Sequence, residues 1–190
     1  MHRRSQMSLE GKTIVLGVTG SIAAYKAPTL ARKLQGKGAE VITVMTDAAT
    51  KLVDPLTFRS VIKGPVLVHM FPPSTDWQIE HIALAEMANL FLVAPATANT
   101  IGKIAGGIAD NLLTCAVMAT KAPVLIAPAM NVNMYENPVV QANIEKLKGL
   151  GYDFVGPKVG TLATGIKGKG PLADVDEIVG RVEELLRRVP

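Results

Sequence analysis

Apolar positions in this chain come in short, unbroken blocks separated by amphipathic stretches. Residues 13–18, 41–46, 66–69, 90–93, 124–127 and 153–155 are runs of strand length, and apart from ends such as His69 and Asp153 they are mostly β-branched or aliphatic and continuous rather than alternating. A continuous apolar strand must be buried on both faces, as in a parallel sheet covered by helices. Between these runs the pattern predicts a helix at 22–35 ending in Gly36 and Gly38, short helices at 47–63 around Pro55, and a short helix from His81. Further helices are predicted from Asn99, at 110–119, at 138–148 and from Asp174. Residues 71–80, with Pro72, Pro73, Asp76 and Trp77, read as an irregular loop, and 156–171 as a glycine-rich one. Strands alternating with helices require right-handed crossovers, so the fold class is α/β, a doubly wound parallel sheet in a single domain.

Length supports one domain, since 190 residues lie within the usual size of one. With 48% apolar and 19% charged residues the chain can bury a real core and is not of disordered composition. The longest apolar stretches are far shorter than the ~20 residues needed to span a bilayer, so no membrane partner is expected. One cysteine, Cys115, excludes an intramolecular disulfide and a Cys-based zinc cage, which fits a reducing, cytoplasmic setting; it reads as core packing. Three histidines scattered along the chain give no metal-ligand spacing, so no metal is expected. The net charge of +4 comes partly from the ends, and Lys158, Lys167 and Lys169 have no interleaved aromatics. No nucleic-acid partner is expected, and an anionic small molecule suits the charge better.

A doubly wound sheet binds ligands beyond the carboxyl ends of its strands, where helix N-termini expose free N–H groups. The first such end, Gly17-Val18-Thr19-Gly20-Ser21-Ile22-Ala23, offers a tight turn, a capping hydroxyl and a helix start that favours an anion. It is not G-x-G-x-x-G, and Thr46 rather than an acid closes the second strand. Asp47 beside it leaves a nicotinamide nucleotide open, as well as a plain turn and cap. The second, Pro95-Ala96-Thr97-Ala98-Asn99-Thr100, places three hydrogen-bonding side chains between a buried strand and a helix: a phosphate cradle or an ordinary cap. The third, Pro128-Ala129-Met130-Asn131, presents an amide either to a carboxylate or to its own turn. His81 is a catalyst or merely a capping or core imidazole. Residues 156–171 are a flap that closes over a ligand, or simply disordered.

Taken together, Gly20-Ser21-Ile22-Ala23-Ala24, His81-Ile82-x-Leu84, Ala94-Pro95-x-Thr97-Ala98-Asn99-Thr100, Lys103-Ile104-Ala105-Gly106-Gly107, Asp110-Asn111-Leu112-Leu113-Thr114 and Pro128-Ala129-Met130-Asn131-x-x-Met134 resemble the homo-oligomeric flavin-containing cysteine decarboxylases. Within these the pattern is most similar to the phosphopantothenoylcysteine decarboxylases of coenzyme A synthesis. The resemblance runs from about Lys12 to Asp174 and implies a Rossmann-like flavoprotein domain over 12–190, with 1–11 as an extension and 156–171 as the flap.

It also implies FMN held between subunits of a trimer, or of a dodecamer built from trimers. By motif position Gly20, Ser21, Ile22, Ala23, Thr46, Asp47, Ala48, Thr97, Ala98, Asn99, Thr100 and Ala129 would bind the flavin. Asn131, with Met134, would hold the cysteinyl carboxylate, and His81 would be the catalytic base. The implied route oxidises the thiol-bearing carbon, with FMN accepting the electrons, so that the carboxylate departs from a position β to an electron-poor carbon.

In one place the chain departs from this pattern: Thr164 stands where the coenzyme A branch has a flap cysteine that returns a proton, and an alcohol is a far weaker acid than a thiol. The implied activity is therefore conversion of phosphopantothenoylcysteine to phosphopantetheine, with peptidyl-cysteine decarboxylation to an enethiol and a non-decarboxylating regulatory flavoprotein as alternatives. The coenzyme A enzyme is often fused to a synthetase, which this chain does not contain, so a phosphopantothenoylcysteine synthetase is expected as a separate partner.

Overall fold

The computed structural model describes residues 8–71, 80–161, 165 and 167–188. In chain order the elements are β1 (Thr13–Val18), a 3-10 helix (Ile22–Lys26), α1 (Ala27–Gly36), β2 (Glu40–Met45), α2 (Asp47–Thr50), α3 (Pro55–Val61) and β3 (Val66–Leu67). Then come α4 (Glu80–Met87), β4 (Leu90–Ala96), α5 (Ala98–Gly106), α6 (Leu112–Ala119), β5 (Val124–Pro128), α7 (Val132–Tyr135) and α8 (Pro138–Gly149). The last are β6 (Asp153–Phe154), β7 (Val159–Thr161), β8 (Lys167–Lys169) and α9 (Val175–Arg188).

Six strands form one sheet in the order β3-β2-β1-β4-β5-β6, every pairing parallel. Alternate side chains of each strand feed two cores. Ile14, Leu16, Val18, Val41, Met45, Leu90 and Leu92 meet α1, α3 and α9 on one face, while Val15, Ile42, Val44, Phe91, Val93 and Ile126 meet α4, α5, α6 and α8 on the other. Burial on both faces is why these strands read as unbroken apolar runs. α9 shows how a helix joins this arrangement: Ile178, Val182, Leu185 and Leu186 lie on one stripe and are buried.

Several predicted elements take a different form. The helix expected at 22–35 is a 3-10 helix followed by α1, because Pro28 in the first turn of α1 has no N–H to continue an α-helical ladder from the preceding turn. The strand expected at 90–93 continues to Ala96, with an irregular register between Val93 and Ala96 where Pro95 cannot donate to a neighbour. The helix expected at 110–119 begins at Leu112, after Asn111 caps it through the Thr114 N–H. Within 156–171, β7 and β8 pair as an antiparallel hairpin, Val159 opposite Lys169, where the sequence suggested a loop; residues 162–164 and 166 lie outside the described residues. α7 was not predicted at all. Of the expected 1–11 extension, Leu9 is fully buried in the α1/α9 core, with its N–H on the Lys37 carbonyl at 3.0 Å; an apolar side chain four residues before β1 is within reach of that core. The loop predicted at 71–80 falls almost wholly outside the described residues.

Candidate functional site at the carboxyl edge of the sheet

In this strand order the connections from β1 and β4 leave toward opposite faces, which opens a crevice between their carboxyl ends. Thr19 ties the two ends together. Its hydroxyl donates to the Pro95 carbonyl at 2.7 Å and accepts from the Thr97 N–H at 3.0 Å, and the residue is 1% exposed. Its own carbonyl accepts from the Ser21 N–H at 2.8 Å, so one threonine positions both anion-favouring segments. Thr19 carries no local signature of this role, because its partners lie 76 and 78 residues away.

On one side, the Ser21 hydroxyl accepts from the Ala23 N–H at 3.3 Å and starts the 3-10 helix. On the other, the Thr97 hydroxyl caps α5 through the Thr100 N–H at 3.3 Å and sits 3.2 Å from the Thr100 hydroxyl. The N–H groups of Ala98 and Asn99 keep no partner among the described residues, and with the helix dipole they favour an anion. Gly20 has an ordinary backbone conformation, so its need for glycine is steric: a Cβ there would lie 2.6 Å from the Ala48 Cβ. That close approach brings α2 against the loop, where Thr46 caps Ala49 at 3.3 Å and Asp47 and Ala48 are exposed.

The third wall follows β5. The Ala129 N–H donates to the Ala96 carbonyl at 3.0 Å, and the Asn131 side-chain oxygen accepts from the Asn133 N–H at 2.8 Å to start α7. The turn reading holds for the Asn131 oxygen, while its amide nitrogen keeps no partner among the described residues and the residue lines the crevice. The β7–β8 hairpin lies over this turn. The Met130 N–H donates to the Gly170 carbonyl at 3.0 Å, a Cβ on Gly170 would come within 2.4 Å of the Met130 carbonyl oxygen, and one on Gly168 within 2.7 Å of Val132. Lys158, at the hairpin's base, pairs with Asp174, and the Lys158 hydrogen bond holds the Asp174 carboxyl below the ordinary carboxylate range.

These walls enclose a cavity of about 530 Å³, within the usual size of a small-molecule site. Of the predicted residues, Gly20, Ser21, Ile22, Ala23, Thr97, Ala98, Ala129, Asn131 and Met134 line it. Thr46, Asp47 and Ala48 do not line it, although Ala48 packs against Gly20, and Asn99 and Thr100 lie on the first turn of α5 without lining it. Tyr25, Lys26 and Leu172 line it and were missed; a residue inside a predicted helix, or just after a predicted loop, carries no signal that it faces a crevice. Ile22, Tyr25 and Met134 leave large apolar surfaces at the mouth, 68%, 64% and 48% exposed.

His81 is not brought into this cavity within one chain. It stands in the first turn of α4, whose Leu84 pairs with the core on the opposite face of the sheet from the 3-10 helix. Thr164 lies outside the described residues. Cys115 is half-buried rather than a core residue; its thiol donates to the Ala109 carbonyl at 3.1 Å, and burial, then the Asp110 charge, push its pKa up. Asp110 instead binds Lys103 at 2.6 Å, joining the end of α5 to the start of α6. Among the described residues no three His, Cys, Asp or Glu side chains gather as a metal site.

Comparison with known proteins places this geometry in a group. A family profile described as Flavoprotein matches residues 2–187. A Streptococcus mutans protein named probable phosphopantothenoylcysteine decarboxylase is 46% identical over 177 residues, covering 92% of this chain and 99% of its own length. The coenzyme A biosynthesis bifunctional protein of Bacillus subtilis is 46% identical over 176 residues; the match covers 93% of this chain and 43% of that protein. A solved serine variant of a PPC decarboxylase, complexed with pantothenoylaminoethenethiol, superposes with a TM-score of 0.83 at 31% identity, covering 93% of this chain and 98% of that one. The FMN-dependent cysteine decarboxylase SpaF superposes with a TM-score of 0.81 at 32% identity, covering 94% and 97%.

Proposed function

Because the chain belongs to the flavoprotein family, we propose that it is an FMN-dependent decarboxylase that converts phosphopantothenoylcysteine to phosphopantetheine in coenzyme A biosynthesis. The observation that carries this reading is the match to the Streptococcus mutans decarboxylase, which spans nearly the whole of both chains. A synthetase of the kind fused in the bifunctional relatives would supply the substrate. A cytoplasmic location fits this role, and among the described residues no helix is long and apolar enough to cross a membrane. The functional domain is residues 12–190, with 156–171 as its flap.

The cavity suits the cofactor. Ser21, Thr97 and the free N–H groups of Ala98 and Asn99 make a neutral donor cradle for its phosphate, with Thr46, Asp47, Ala48 and Thr100 supporting them, while Ile22, Ala23 and Ala129 offer apolar surface to a planar ring. When bound, FMN would accept two electrons from the thiol-bearing carbon, so that the carboxylate can leave without an unstabilised carbanion, and would return them to give the thiol product. The chain's own residues do the rest. The Asn131 amide nitrogen donates to the substrate carboxylate, with Met134 beside it, and holds the bond to be broken in one orientation. The β7–β8 hairpin covers that carboxylate and keeps out water. His81 accepts the substrate proton.

Because His81 lies beyond its own cavity, this role requires a homo-oligomer in which a second copy covers the exposed Ile22, Tyr25 and Met134 and delivers its own imidazole. We assign a trimer, alone or assembled into a dodecamer. His81→Asn should keep the yellow flavin and lower turnover by about a hundredfold or more. Loss of the flavin, or full activity, would remove His81 from this role.

A second reading concerns the product, and Thr164 favours it: without the flap cysteine that the family resemblance leads one to expect, the reaction stops at the enethiol. The mass of the product decides. Loss of CO2 alone means phosphopantetheine, and loss of CO2 with two hydrogens means the enethiol. Substrate returned unchanged would refute both.

A further inference from the structure

Beyond its glycine contacts, the β7–β8 hairpin meets the Asn131 turn through one further pair of side chains. β8 packs on α7, and the Lys169 ammonium stands over the Tyr135 ring, 5.4 Å from its centre. Lys169 forms no ion pair among the described residues, so its charge is left to water and to the electron-rich face of that ring. Lys167, two residues earlier and therefore on the same side of β8, has no aromatic partner among the described residues.

Tyr135 is also tied through its backbone. Its N–H donates to the Asn131 carbonyl at 2.9 Å, and its own carbonyl accepts from the Gln141 side chain on α8. α7 is only four residues long, and so short a helix does not hold its own shape. The orientation of Asn131 at its start therefore depends on what grips Tyr135 at its end. α8 grips the carbonyl, and the hairpin grips the ring. Met134, between the two, lines the cavity, while Tyr135 does not.

We propose that Tyr135 is a positioning residue: its ring seats the hairpin by taking the Lys169 ammonium, and its N–H passes that seating to Asn131, whose amide faces the substrate carboxylate. The part played by the carboxylate rests on the decarboxylase reading above. A contact of this strength opens readily, so the hairpin can lift for each substrate and settle again on the same ring.

The test uses FMN-loaded protein with Lys169→Met, Tyr135→Leu, Tyr135→Phe, the double variant Lys169→Met/Tyr135→Leu, and Lys167→Met as the control for charge alone. Amide hydrogen exchange follows two N–H groups: Gly170, which donates to the Lys158 carbonyl at 3.2 Å, reports the hairpin, and Asn133, which donates to the Asn131 side chain at 2.8 Å, reports the turn. Both should exchange about two- to fivefold faster in Lys169→Met and in Tyr135→Leu, and no faster again in the double variant. Tyr135→Phe keeps the ring face and should match wild type, as should Lys167→Met. In steady state KM should rise by the same factor, with kcat and bound flavin far less affected.

Unchanged exchange in Lys169→Met, additive losses in the double variant, or Tyr135→Phe as damaging as Tyr135→Leu would each overturn the proposal. So would a faster Gly170 with Asn133 unmoved, which would leave the ring contact uncoupled from the turn, or faster exchange with KM intact. If wild type turns over no substrate, the decarboxylase reading falls, while the paired exchange of Gly170 and Asn133 still decides for or against Tyr135.

Discussion

The two sides of the cavity are held by different means. The cradle between β1 and β4 is fixed from below by a buried hydroxyl and by hydrogen bonds between strand ends of a two-sided sheet. The β7–β8 hairpin is a two-stranded ribbon with exposed flanks that rests on the Asn131 turn through close backbone contacts at Gly168 and Gly170. Isolated two-stranded ribbons are only marginally stable, so the hairpin depends on those contacts far more than the cradle depends on any one of its own. A binding site for a resident cofactor gains from the first kind of wall, and a cover that admits substrate gains from the second.

Four changes would break or sharpen this contrast. The largest effect is expected from Gly20→Ala, because its new Cβ meets the Ala48 Cβ and neither atom can rotate away. Stability should fall by about 1–3 kcal/mol with loss of bound flavin, and adding Ala48→Gly should recover both, measured by melting and by flavin absorbance. Thr19→Val comes next. It keeps the shape but leaves the Thr97 N–H unpaired, for about 1–3 kcal/mol, and flavin affinity should fall about tenfold. Thr19→Ser should restore it, and a drop in melting temperature with flavin affinity intact would show the staple to be structural only.

Gly170→Ala should act on the other wall alone, displacing the hairpin from the Met130 carbonyl. We expect KM to rise about fivefold, on the scale of ~1 kcal/mol, while flavin stays bound; flavin loss would mean that the hairpin and cradle are not separable. The smallest effect is expected from pH. The Lys158 hydrogen bond lowers the Asp174 pKa in the folded protein, so this clasp contributes fully above the ordinary carboxylate pKa and is lost as pH falls through the lower folded value. Asp174→Asn should therefore reduce the acid-side slope of thermal stability slightly, and an unchanged slope would dismiss the clasp.

The legibility of the cavity followed the same division. Gly20, Ser21, Thr97, Ala98 and Asn131 were visible because strand ends and helix starts have local signatures: an apolar run, then a small or capping residue. The hairpin was missed because Gly160 and Gly168 pair across a segment with no apolar alternation, and its partner surface is the turn at Met130 to Val132. The position of His81 relative to the cavity was equally invisible, since a motif shows that a histidine begins a helix but not which face of the sheet that helix covers.

From the chain's own order of residues come the strands, the helices and their caps, because burial on two faces and the needs of a helix N-terminus are met by neighbours a few positions apart. Only the folded molecule could decide that Thr19 meets Thr97, 78 residues away, that Gly20 meets Ala48 and that Gly170 meets Met130. Those contacts follow from placing β1 between β2 and β4, with β5 beyond β4, and a strand's apolar pattern is the same whichever neighbour it takes.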